Sequence, residues 1–196
     1  CALPISGIRR RCNARPGQAG QDVHYIAFEY LSGGSLEDVV EGEGALSEER
    51  ALQVGRGVAR ALAFAHGIGL IHRDVKPENI LFDASGEPKL ADLGLAKQIN
   101  ASGDPLTVSK GGLGTPDYMS PEQIDEAKSV DARADIYSLG CTMYVALTAR
   151  FPFPGKTNRE KRVAPQKTVP PPVRNLKPQV PEEVEAVLAR MMAKTP

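Results

Sequence analysis

Apolar residues recur at helical spacing in three stretches of the chain and at strand-like spacing in only a few short ones. In the first stretch Ala51, Val54, Val58, Ala61, Leu62 and Ala65 form one stripe at steps of three and four. Ser47 precedes it as a cap, and Glu48 and Glu49 complement the helix dipole in the first turn. Gly55 and Gly57 weaken this predicted helix by roughly 1 kcal/mol each against alanine. Residues 135–148 predict a second, buried helix. Residues 181–193 predict a third, with Val184, Val187, Leu188 and Met191 on one face. Shorter signals fill the gaps. Residues 23–29, rich in β-branched and aromatic side chains, predict a strand. Gly33-Gly34 predicts a turn, and residues 35–40 a short helix. Leu70-Ile71 and Ile80–Phe82 are brief apolar runs flanking a polar loop, and Lys89-Leu90-Ala91 leads into a second. Residues 98–114 are irregular, and the Pro-rich residues 168–172 should be extended and solvent-facing. The pattern predicts a mainly α (α+β) fold with a few short strands and no internal repeat. Residues 1–21 show neither period and read as a disordered or artefactual tail, which leaves residues 22–196 as one domain.

Composition changes this picture little. Twenty-four basic residues balance 24 acidic ones, so nothing electrostatic points to nucleic acid or a membrane surface. The run Arg9-Arg10-Arg11 reads as a solvated stretch. The three cysteines, Cys1, Cys12 and Cys141, lack metal-ligand spacing, which fits a reducing cytosol better than a disulfide framework. No apolar run is long enough to span a bilayer, and no signal peptide is evident. A cytoplasmic location is the expectation.

The chemistry lies in the first polar loop, His72-Arg73-Asp74-Val75-Lys76-Pro77-Glu78-Asn79. Phosphoryl transfer to a hydroxyl needs a carboxylate to orient and accept the proton, positive charge near the moving group, and oxygen ligands for magnesium. Asp74 can supply the carboxylate, Lys76 the charge and Asn79 a neutral oxygen ligand. Asp92, in the turn Asp92-Leu93-Gly94, can supply a charged ligand. Two short strands bracketing the loop would place all four side chains at one edge.

Residues 72–79 resemble the catalytic loop of protein kinases, and Asp92-Leu93-Gly94 resembles their magnesium-binding turn. Gly114-Thr115-Pro116-Asp117-Tyr118-Met119-Ser120-Pro121-Glu122 resembles the end of their activation segment. Asp135-Ile136-Tyr137-Ser138-Leu139-Gly140 resembles the start of the helix that anchors their lower lobe. The wording is closest to bacterial serine/threonine kinases of the eukaryotic type, over residues 23–196. Lys76 and Thr115 favour the serine/threonine subclass over the tyrosine kinases.

The resemblance implies ATP and Mg2+ as cofactors and a protein substrate with a serine or threonine acceptor. It implies Asp74 and Lys76 in catalysis, and Asn79 and Asp92 on the metal. It places the backbone of Glu29 and Leu31 at the adenine, Phe28 behind it and Leu81 beneath it. It gives His72 and Asp135 structural parts, Asp135 bonding to the catalytic-loop backbone. It also implies an activation segment in which Thr107 and Ser109 could be phosphorylated to face Arg73. The family's glycine-rich loop, strand lysine and helix glutamate have no match in these residues. The expectation is therefore a hinge and lower lobe, inactive alone, with the upper lobe largely missing. Leu93 replaces the usual phenylalanine and Ser120 the usual alanine. The arginine that would pair with Glu122 is not reached, which predicts a buried, unpaired carboxylate. A non-catalytic half-kinase interaction module and a small-molecule phosphotransferase of kinase-like fold are the alternative readings.

Overall fold

A computed structural model of the chain describes residues 29–92, 116–125 and 130–195. The elements run α1 (Leu36–Glu43), α2 (Glu48–Gly67), β1 (Ile80–Phe82), β2 (Pro88–Leu90), α3 (Pro121–Asp125), α4 (Ala132–Thr148), α5 (Asn158–Lys167) and α6 (Glu182–Met191). The family of short helical turns at Pro77–Asn79, Pro116–Tyr118 and Val173–Asn175 joins them.

Local chemistry explains most of these boundaries. Ser35 caps α1 through a reciprocal pair with Asp38: the Asp38 amide donates to Ser35 Oγ (3.1 Å), and the Ser35 amide donates to Asp38 Oδ2 (2.8 Å). Gly44, at φ 80°, ends the helix. Ser47 accepts from the Arg50 amide at the start of α2, and the predicted stripe from Ala51 to Ala65 is its buried face. The Asp131 carboxylate accepts from the Arg133 amide and starts α4 three residues before the predicted residue 135. From Ala134 to Leu147 only Ile136 escapes burial, so α4 is the central rod of the molecule.

The core is built by laying α2 across α4, with α1, the β1–β2 hairpin, Phe153 and α6 around them. Gly55 and Gly57 look like defects in the pattern of α2, but the packing requires both. A β-carbon on Gly57 would stand 2.5 Å from Pro88 Cγ, and one on Gly55 would stand 3.2 Å from the Met143 thioether. Hydrogen lets the helix approach both β2 and α4, at the cost in helix propensity noted above.

Several expectations need correction. Leu70-Ile71 is not a strand; β1 and β2 both follow the polar loop and pair antiparallel, with Ile80 opposite Leu90 and Phe82 opposite Pro88. In the hairpin turn, hydrogen bonds from the Ser85 hydroxyl and the Glu87 amide bring the Asp83 carboxyl down to about 2. Helix α5 was not predicted. Its sequence carries no apolar stripe and includes Pro165, and it starts on the side chain of Thr157, which accepts from the Glu160 amide. On α6 Leu188 is buried and Val184 and Met191 pack on the core, but Val187 is exposed. The predicted strand at 23–29 lies outside the described residues except for Glu29, which is not in a strand. The irregular stretch 98–114 also lies outside them. Residues 168–172 are extended and mostly exposed, as predicted.

The two interior glycines give a direct test. Gly57→Ala should destabilise the protein by about 1–3 kcal/mol through overpacking on Pro88, despite the gain in helix propensity. Gly42→Ala in α1 meets nothing within 4 Å and should stabilise by up to about 1 kcal/mol. Chemical denaturation of the two variants checks the opposite signs.

Candidate active site

The polar loop between α2 and β1 has no regular secondary structure until the turn at Pro77–Asn79. Its backbone groups cannot pair with a neighbouring strand, so side chains satisfy them. Asp135, fully buried on the first turns of α4, does most of this. Its Oδ2 accepts from the His72 amide (2.8 Å) and its Oδ1 from the Arg73 amide (2.7 Å). The same Oδ2 lies 2.7 Å from Nε2 of His66, at the end of α2. Arg73 is held in the left-handed region at φ 66°, a conformation that costs about 1–3 kcal/mol without such support.

His72 links the loop to the hairpin. Its Nε2 is 2.8 Å from the Ala91 carbonyl, and the Asp74 amide is 3.3 Å from its Nδ1. A carbonyl only accepts and an amide only donates, so the ring carries its proton on Nε2. With the ring fully buried, His72 is the packed, hydrogen-bonded residue that the sequence suggested.

Asp74, Lys76 and Asn79 come together at the loop's mouth. Asn79 Nδ2 donates to the Asp74 carbonyl (2.7 Å) and to Asp74 Oδ2 (3.1 Å), which leaves the Asn79 amide oxygen for another partner. Lys76 Nζ lies 3.7 Å from Asp74 Oδ2 and 3.8 Å from Glu78 Oε1. The Asp74 side chain is 41% exposed, enough for a hydroxyl to reach it. The Ala91 amide donates to the Asn79 carbonyl (2.8 Å), so Asp92, the next residue, stands at the same end of the hairpin. Asp92 is left-handed too, at φ 54°. Among the described residues no three His, Cys, Asp or Glu side chains are grouped to hold a metal. The oxygens of Asn79 and Asp92 still suit magnesium, which keeps several waters and is completed by substrate phosphates. The surroundings are acidic: burial, and then the Glu78 charge, push the Glu37 carboxyl above its usual range.

The remaining predicted residues fall as follows. Glu29 is exposed and Leu31 half-buried, in coil before the Gly33-Gly34 turn. On β1, Ile80 and Phe82 face the core, while Leu81 lies half-exposed on the other face. It is the apolar surface that a flat ring could rest upon. Leu93, Thr107, Ser109 and Thr115 lie outside the described residues. Glu122 is only partly buried, which corrects the expectation of a buried carboxylate. Ser120 uses its hydroxyl: Ser120 and Gln123 cap α3 reciprocally. Sequence reasoning missed His66 and Gln123. Each makes its key contact more than 49 positions away, beyond the reach of any local pattern.

Comparison with known proteins identifies the family. Residues 14–196 match the family model described as the protein kinase domain. The chain belongs to the protein kinase family. The kinase's relatives include the serine/threonine-protein kinase PknB of Mycobacterium tuberculosis, 39% identical over 174 residues, which are 88% of this chain and 27% of that protein. The PknB proteins of Mycolicibacterium smegmatis and Mycobacterium leprae are each 37% identical over 172 residues, 88% of this chain and 27% of theirs. The chain thus spans about a quarter of the length of the curated relatives it matches. Among the described residues, the helical build with two short strands is that of the kinase lower lobe. No helix among the described residues is long and apolar enough to cross a membrane.

Asp135 should be the most sensitive polar position among the described residues. Asp135→Ala strands two amide donors and the His66 ring. It should cost about 2–5 kcal/mol, a sum over the stranded groups, read as a shift in the urea midpoint.

Proposed function

We propose that the protein transfers the γ-phosphoryl group of ATP to serine or threonine hydroxyls of proteins. The observation that carries this is the convergence of Lys76 and Asn79 on the exposed Asp74 carboxylate, with Asp92 at the same end of the hairpin. The names of the relatives support the same activity.

Magnesium–ATP, when bound, supplies the electrophilic γ-phosphorus and the ADP leaving group. The chain's own residues do the rest. The Asp74 carboxylate receives the proton of the acceptor hydroxyl as the hydroxyl oxygen bonds to phosphorus and ADP leaves. The Asn79 amide and Lys76 ammonium keep that carboxylate from turning away and hold its charge in place. Lys76, poised beside Asp74, faces the negative charge that spreads over the transferring group. Asn79 Oδ1 and an Asp92 oxygen would hold magnesium. Leu81 would carry the adenine, with the backbone of Glu29 and Leu31 at its edge. The acceptor is a protein: the segment around Tyr118 is bound into α5 by the Lys161–Asp117 pair (2.8 Å), which offers a fixed platform beside the loop.

Two measurements test this reading on the intact gene product. Asp74→Asn should lower turnover on a serine or threonine peptide by about 10²–10⁴-fold, the range of general-base catalysis, and chelating magnesium should abolish it. Unchanged turnover in Asp74→Asn would remove that residue from its role. The second concerns Thr107 and Ser109. A phosphate on either adds nearly two negative charges, which the family resemblance pairs with Arg73, and mass spectrometry should find it on these residues. Thr107→Ala combined with Ser109→Ala should lower activity, and a fully active, unphosphorylated double variant would place the switch elsewhere.

A further inference from the structure

Gln123 is buried at the first turn of α3, and both ends of its amide are occupied. Its Oε1 accepts from the Ser120 amide (3.0 Å), and its own amide nitrogen reaches 50 residues back along the chain to donate to the Arg73 carbonyl (2.9 Å). The Arg73 amide on the other side is held by Asp135 (2.7 Å). Arg73, left-handed at φ 66°, is therefore clamped at its N–H from α4 and at its C=O from α3. Asp74 follows directly. The peptide whose carbonyl Gln123 grips is the one that carries the Asp74 amide.

We propose that Gln123 is a positioning residue for phosphoryl transfer, fixing the backbone of Asp74 by gripping the Arg73 carbonyl from the substrate-docking segment. The proposal rests on the phosphoryl-transfer reading of Asp74. Its physical basis is that a left-handed non-glycine residue relaxes unless its surroundings over-determine it. Of the two clamps on Arg73, only Gln123 belongs to the segment that ends in Ser120 and α3. A displacement of α3 is thus transmitted to Asp74 through the Gln123–Arg73 hydrogen bond. Reacting groups misplaced by about 1 Å lose on the order of 10²-fold in rate.

Two substitutions in the intact gene product separate this from a merely structural role. Gln123→Glu keeps the acceptor for Ser120 and replaces the donor to Arg73 with a carboxylate oxygen. Gln123→Met removes both. Each should lower kcat by about tenfold or more and leave KM for ATP within about twofold. The ratio of Gln123→Glu kcat to wild-type kcat should recover as the pH falls from about 8 to about 5.5, because a protonated carboxyl donates to Arg73 again. Gln123→Met should show no such recovery. A Gln123→Glu enzyme within twofold of wild type, or one whose deficit matches that of Gln123→Met at every pH, overturns the proposal. Residue-resolved amide exchange gives a readout that does not depend on activity. Arg73 and Asp74 should exchange about tenfold faster in both variants, and unchanged exchange also overturns the proposal. A wild-type protein no more active than Asp74→Asn would sink the phosphoryl-transfer reading instead, and exchange alone would then decide the place of Gln123.

Discussion

The site depends on one buried carboxylate. Asp135 is fully enclosed, and an enclosed carboxylate is costly unless its oxygens find donors. It finds three: the amides of His72 and Arg73 and the ring of His66. Its place on the first turns of α4 adds the favourable end of the helix dipole. The requirement runs in both directions. The carboxylate needs the loop's amides, and the amides, which have no strand to pair with, need the carboxylate. The buried central helix and the irregular loop are thereby fastened together.

The second anchor is the short hairpin. Three residues per strand make a weak sheet, since an isolated two-stranded hairpin is marginal in water. Here Ile80 and Phe82 bury one face, and Gly57 lets Pro88 sit directly against α2. The hairpin is therefore positioned by packing more than by its ladder. It delivers Asn79 at its start and Asp92 just past its end, and the Ala91 carbonyl receives the His72 ring. Two left-handed residues, Arg73 and Asp92, mark where the chain turns toward the cleft from either side.

Much of this was legible in the sequence, and the limits have physical causes. The stripe of α2 was readable because one face of a long helix meets the core, and its six buried positions are the six predicted. The loop residues were readable because their chemistry is packed into eight consecutive positions. Helix α5 was not, because it is held by a Thr157 cap and by contacts with the Pro116–Tyr118 turn rather than by an apolar stripe. The two glycines of α2 looked like weaknesses because Pro88 and Met143, which crowd them, are distant in sequence. His66 and Gln123 were missed for the same reason. A hydrogen bond across 69 or 50 positions leaves no local periodicity. The placement of strands on both sides of the loop failed because Leu70-Ile71 enters the loop without a partner strand. Both strands lie on its far side.

The loop's backbone shows how a function can sit on irregular structure without being loose. From residue 72 to residue 75 the polar backbone groups are taken up largely by side chains. Asp135 takes the amides of His72 and Arg73, and Gln123 takes the Arg73 carbonyl. The His72 ring takes the Asp74 amide, and Asn79 takes the Asp74 carbonyl. Thr142 reaches toward the Val75 carbonyl at 3.5 Å. A strand would fix the same groups through a ladder, but it would hold every residue in the extended region, and Arg73 is left-handed at φ 66°. Side-chain clamps remove that restriction, so Asp74 and Lys76 are brought together by a backbone that no strand would permit. The cost is that the loop's shape is stored in residues of α3 and α4, far away in sequence. Whatever shifts those helices also shifts the carboxylate that they aim.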